Sequence, residues 1–258
     1  MTDLLAELQR LGGGAALTAA LVFARVGAAM VAMPGFSQGF VPVRIRLGAA
    51  IAFTAVILPA VQAMVTPPGQ ALDAAAMLLG EVVVGAVLGA FLRLFTQALE
   101  VAGMTIAQST SLAQMFGGGG AEPLPAISHL LLMAGLALAA MAGLHLRLAE
   151  ALILSYQALP AGGIPDAGVL RDWGVGGVIR AFLLAFGLAA PFLIIATLYN
   201  FALGAINRAM PQLMVMMVGA PAVTGGTLLL LGAAAPALVA VWHNAFAGIL
   251  ADPFAVRP

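Results

Sequence analysis

The chain is organised by long, unbroken apolar runs rather than by alternation of apolar and polar positions. Residues 15–33 (AALTAALVFARVGAAMVAM) form the first run, interrupted only by Arg25. Nineteen residues at 1.5 Å each cover about 28 Å, close to the hydrocarbon thickness of a bilayer. Pro34, Gly35, Gly39 and Pro42 then break the pattern, and the second run covers 47–65 up to Pro67-Pro68-Gly69. A third runs from Ala74 to Leu92 around Glu81. The stretch 94–116 carries Gln97, Glu100, Thr105, Gln108 and Gln114, too polar for a lipid-facing span, and reads as helix to about Met104. Gly117-Gly118-Gly119-Gly120 follow, with no side chain to pin the backbone.

The fourth apolar run is 124–144, continued by 146–159, where Arg147 and Glu150 are spaced to pair on one helix face. Pro160 to Trp173 read as a polar loop. The fifth run, 178–203, holds Arg180 near its start and Pro191 in its interior. NRAMPQ at 207–212 separates it from the last run, 213–250, which is long enough for a hairpin with breaks at Pro221, Gly225-Gly226 and Pro236. Continuous runs exclude a β-barrel, since barrel strands alternate. The expected fold is an all-α integral membrane protein with about six long apolar helical segments, several kinked or broken.

Composition strengthens this reading. Of 258 residues 63% are hydrophobic and 8% charged, against roughly 45–50% and 25% in soluble domains. Ten basic residues, all Arg, balance ten acidic ones. A soluble chain with so few charges would expose large apolar patches, and disorder is excluded by the same numbers. No basic stripe is present to neutralise phosphates, so nucleic acid is not an expected partner. With no Cys, three scattered His and no nucleotide or nucleophile motif, neither an enzyme nor a metal or other cofactor is expected. Asp3 and Glu7 precede Arg10, so a signal peptide is not expected and 15–33 is read as a retained helix.

Intramembrane-like charges are Arg25, Glu81, Arg93, Glu100, Arg147, Glu150 and Arg180. Each needs a partner, water or a path to headgroups. Four Arg against three Glu permits mutual pairing. Glu81 is the one carboxylate well inside an apolar run, where a proton-coupled transporter would place a relay group. Arg44 and Arg46 in a short loop read as topology signals or headgroup ligands, with subunit contact as the rival. His129 and His145 read as helix-end or locally bonded residues.

Four segments, in order, resemble the FliR family of flagellar export-gate subunits and their injectisome counterparts: FARVGAAMVAMPGF (23–36) with VPVRIRL (41–47), GEVVVGAVLGAFLRLFTQALEVAG (80–103), ALPAGG (158–163) and NFALGAINRAMPQLMVMMVGAP (200–221). The resemblance implies a non-catalytic subunit of the gate in the bacterial inner membrane, at the flagellar basal body. One copy joins FliP-like and FliQ-like subunits in a spiral of helical hairpins around a pore for unfolded substrates. FlhB-like and FlhA-like components are further implied partners. It also implies a FliP-like unit at 1–165, carrying a polar Gly-rich plug loop at about 108–122, and a FliQ-like hairpin unit at 166–258.

Each candidate site keeps two readings. Gln108, Ser109, Gln114, Met115, Phe116 and Gly117 to Gly120 are either a polar connector or a mobile plug. In the plug, polar groups suit a wet lumen, Met115 and Phe116 a stopper, and the glycines a hinge. Asn207, Arg208, Pro211 and Gln212 are either a plain helix break or an interface clamp, in which Arg208 binds carbonyls that Pro211 frees. Met214, Met216 and Met217 are either ordinary packing or a deformable pore lining. The rival functions are an injectisome export gate and a small-molecule secondary transporter. The second predicts paired broken helices in both halves, and the first half has no match for the 207–226 breaks.

Overall fold

The computed structural model describes residues 2–37, 39, 41–66, 68, 71–115, 126–163, 165–209 and 215–255. Seven α-helices account for nearly all of them: α1 Thr2–Ala32, α2 Val43–Val61, α3 Ala71–Met115, α4 Ala126–Met141, α5 Leu144–Ala158, α6 Ala167–Ala209 and α7 Val215–Ala251, with a short 3-10 turn at Gln62–Met64. No strand occurs among the described residues, so the all-α expectation holds. Among the described residues five helices are long and apolar enough to cross a membrane, or six spans if the bent pair α4–α5 counts as one.

Two compact units arise from this chain, each assembled from segments distant in sequence. The first holds 1–94, 143–177 and 247–258; the second holds 95–142 and 178–246. In the first unit Leu21, Val22, Met30, Ile57, Leu88 and Leu152 are buried. Two of its buried hydroxyls are accounted for locally: Thr18 and Thr54 donate to the carbonyls of Gly14 and Ala50, four residues back. A hydroxyl satisfied by its own helix can sit in an apolar medium without a tertiary partner. Near the chain's end, Trp173 stacks on Phe91 at 3.9 Å between ring centroids and donates Nε1–H to the Pro253 carbonyl at 2.9 Å.

The second unit is centred on Trp242, which is fully buried. Its Nε1–H donates to the Phe95 carbonyl at 2.7 Å, and its ring stacks on Phe246 at 5.0 Å. Ser128 donates to the Glu100 carbonyl at 2.9 Å. A buried indole whose N–H is bonded combines a large apolar payload with a satisfied polar handle.

Four expectations change. Residues 74–92 and 94–116 are not separate elements: α3 runs unbroken for 45 residues, past Met104 to Met115. At 1.5 Å per residue that is about 68 Å, roughly twice a hydrocarbon core. The last run is not a hairpin, because α7 continues through Pro221, Gly225, Gly226 and Pro236. Propensity explains the first, since the Gln and Glu residues of 94–116 are good helix formers; for α7, a helix that water cannot reach keeps its bonds through Gly and Pro that would interrupt it in water. The loop at Pro160–Trp173 is shorter than expected, since α6 starts at Ala167. Asp166 caps it there, its Oδ1 accepting from the backbone N–H of Gly168 and Val169. Finally, 124–159 is two helices divided at Gly143, whose φ of 84° lies in the left-handed region that glycine adopts without strain.

Candidate functional site

Arg25 lies on α1 and Glu81 on α3, each in the middle of an apolar run, and both are fully buried in the first unit. They meet as a two-pronged pair: Nε donates to Oε2 at 2.7 Å and Nη2 to Oε1 at 3.0 Å. A planar guanidinium matched to a carboxylate in this way is the strongest form such a pair takes. Two further N–H donors of the guanidinium are used as well. Nη1 donates to Ser155 Oγ at 3.1 Å and Nη2 to the Leu159 carbonyl at 3.0 Å. The Tyr156 ring covers the guanidinium carbon at 3.8 Å from its centroid, a cation–π contact in a water-poor site.

Glu81 is held from a third side. The Gly162 backbone N–H donates to its Oε1 at 3.1 Å. That amide is available because Gly162 sits at φ 77° in the turn after α5; a side chain there would be strained and would also press on Met77. The helices carrying the pair approach closely because the facing positions lack side chains. A Cβ at Gly85 would collide with the Arg25 carbonyl, and one at Gly89 with the Ala29 carbonyl. Two glycines four apart on one helix face are the small-residue spacing by which membrane helices bring their backbones together.

Chemically the ion pair is closed, although the buried Tyr156 hydroxyl beside it has no hydrogen-bond partner among the described residues. The charges cancel and each carboxylate oxygen has a donor. A relay carboxylate must exchange protons with water; Glu81 is walled off from it with a permanent cation beside it. The transporter reading therefore loses its mid-span candidate. What the node does is hold α1, α3 and the Leu159–Gly162 turn together, because removing any partner would strand a buried charge.

Three of the four sequence segments that carried the family resemblance meet here: FARVGAAM supplies Arg25, GEVVVGAVLG supplies Glu81, Gly85 and Gly89, and ALPAGG supplies Leu159 and Gly162. The profile of bacterial export proteins, family 1, matches residues 16–249. The chain belongs to the FliR family of bacterial export proteins. It is 33% identical to flagellar biosynthetic protein FliR of Caulobacter vibrioides, over 90% of this chain and 94% of that one. It is 28% identical to the Escherichia coli K12 protein of the same name, over 91% of each, and 26% identical to that of Aquifex aeolicus, over 89% and 90%.

In this family member the other predicted residues lie apart from the node. Gln108 is exposed on α3, while Ser109 is buried and donates to the Ile106 carbonyl at 2.7 Å. Gln114 and Met115 fall in the last turn of α3. Phe116 and Gly117 to Gly120 lie outside the described residues. Asn207 and Arg208 are exposed in the last turn of α6; Pro211, Gln212 and Met214 lie outside the described residues, and Met216 and Met217 open α7. Arg44 is exposed, and Arg46 donates Nε–H to the Phe36 carbonyl at 3.0 Å. His129 and His145 are exposed at the starts of α4 and α5, as expected, and Arg147 pairs with Glu150 at 3.2 Å.

Sequence reasoning singled out Arg25 and Glu81 as charges needing partners but did not join them, and it missed Tyr156, Ser155 and Gly162. The available signal was the coincidence of one Arg and one Glu deep in neighbouring apolar runs, together with one of the two tyrosines in the chain.

Proposed function

We propose that this multi-pass membrane protein is a pore-forming, non-catalytic subunit of the flagellar type III export gate in the bacterial inner membrane. It walls a passage for unfolded flagellar proteins with FliP-like and FliQ-like subunits, alongside FlhB-like and FlhA-like components. Family membership supports the flagellar setting, because all the relatives named above are flagellar biosynthetic proteins. The observation that carries the pore reading is α3 itself. Its apolar first half continues without a break into a segment bearing Gln97, exposed Gln108 and Gln114. Lipid would penalise that segment, and a wet lumen would not.

On this reading Gln108–Glu122 is the plug, with Met115 and Phe116 as its stopper and Gly117–Gly120 as its hinge. Met214, Met216 and Met217 are a deformable lining. Residues 1–165 correspond to a FliP-like unit and 166–258 to a FliQ-like hairpin. Asn207, Arg208, Pro211 and Gln212 form a clamp between subunits. Exposed Phe182, Phe186, Ile194 and Phe201 on α6 give the chain apolar surface for neighbouring subunits to cover.

The test is isolation of the tagged full chain from membranes that also contain its FliP-like and FliQ-like relatives. A stable hetero-oligomer is expected, and Arg208→Ala is expected to lower the yield of that oligomer. Recovery only as a solitary particle would refute the assembly reading, and normal yield for Arg208→Ala would remove the clamp.

A further inference from the structure

A second feature of the first unit is open where the Arg25–Glu81 node is closed. A groove of about 410 Å³ runs along the α1–α2 hairpin, floored by the small residues Ala24, Gly27, Ala28 and Ala50. Its rim is apolar and exposed: Val31 is 59%, Val43 74% and Leu47 52% accessible. The one charged residue lining it is Arg46, one turn into α2.

Position fixes what such a groove meets. Both candidate spans, Gly13–Ala32 and Val43–Met64, end at the connection between α1 and α2. With both helices taken as spans, Arg46 falls at headgroup depth and the apolar floor runs from it toward the bilayer centre. From Val31 back to Phe23 is eight residues, about 12 Å of helix, enough for the upper part of an acyl chain. The charge at the mouth is unopposed within the groove. The neighbouring acid on α3, Glu81, is already committed to Arg25. Arg46 uses Nε–H on the Phe36 carbonyl, which fixes its plane; among the described residues no partner takes its Nη groups, which can meet an anion. In addition, α2 begins after Pro42 with no side-chain cap, so its first backbone N–H groups and its positive dipole end face the same interface.

The geometry points to a bound anionic phospholipid, its phosphate on Arg46 and the start of α2, and one acyl chain along the Ala24–Gly27–Ala28 floor. Arg44, two residues earlier, leaves the helix on another side. It strengthens the local potential without lining the groove, so the two arginines differ in effect. This site is independent of the pore reading above.

Native mass spectrometry of the purified full chain tests it, with added dioleoyl phosphatidylglycerol or dioleoyl phosphatidylcholine. Preferential retention of phosphatidylglycerol is expected. Arg46→Gln should lower it about fivefold, Arg46→Lys should largely keep it, and Arg44→Gln should lower it less than Arg46→Gln. Gly27→Leu should lower retention of both lipids by filling the floor. A Cβ at Gly27 meets only the Phe23 ring, at 3.8 Å or more, and a detergent thermal melt matching that of the unaltered chain shows that the variant is folded. Equal retention of the two lipids, equal effects of the two Gln variants, or an unchanged Gly27→Leu would overturn the proposal. So would a photocrosslinker at Leu47 that captures a protein subunit and no lipid in the assembled complex.

Discussion

Two ion pairs in the first unit join the same kinds of residue and do different work. Arg25 and Glu81 have side chains 0% and 1% exposed, whereas Arg147 and Glu150 are 55% and 58% exposed. The first pair joins two helices 56 positions apart and recruits the turn after α5. The second joins neighbours on one helix turn and fixes nothing that the helix has not already fixed. A chain with so few charges thus commits one pair to its interior, where solvent cannot substitute for a missing partner. The difference teaches that a charge in an apolar run should be read by whether a second run offers its complement.

The contrast can be broken by removing one partner from each pair. Glu81→Ala leaves the Arg25 guanidinium buried without its counterion. It should cost about 3–5 kcal/mol, read as loss of folded protein in a detergent thermal melt. Gly162→Ala keeps both charges but strains the turn and disturbs the amide that holds Glu81. A cost of about 1–2 kcal/mol is expected, measured in the same melt. Arg147→Ala should be nearly silent, within about 0.5 kcal/mol. An Arg147→Ala melt as damaging as that of Glu81→Ala would erase the distinction.

Much of this fold is legible in the sequence, because lipid enforces continuous apolar helices and the runs 15–33 and 47–65 coincide closely with spans at Gly13–Ala32 and Val43–Met64. What is not legible follows from the same medium. Glycine and proline were read as interruptions, as they would be in water, and the polar stretch after Leu94 as helix only to about Met104. Yet α3 runs on through Gln108, and α7 through Gly225 and Pro236. The break that does occur, at Gly143, looks on the page like many other glycines; only its positive φ distinguishes it. The need of Arg25 for a partner was plain from its surroundings. Which of three Glu would serve was not, because that depends on the close crossing permitted by Gly85 and Gly89. The roles of the plug and clamp residues rest on the polarity of α3 and on kinship.

The central claim is that this chain helps wall a protein passage and closes it with the polar end of α3. Ion conductance across membranes containing the assembled complex tests that most directly, comparing the intact chain with one lacking 110–120. The account predicts a closed intact complex and a persistent ion leak after deletion, with export partly retained. Identical low conductance in both would contradict it.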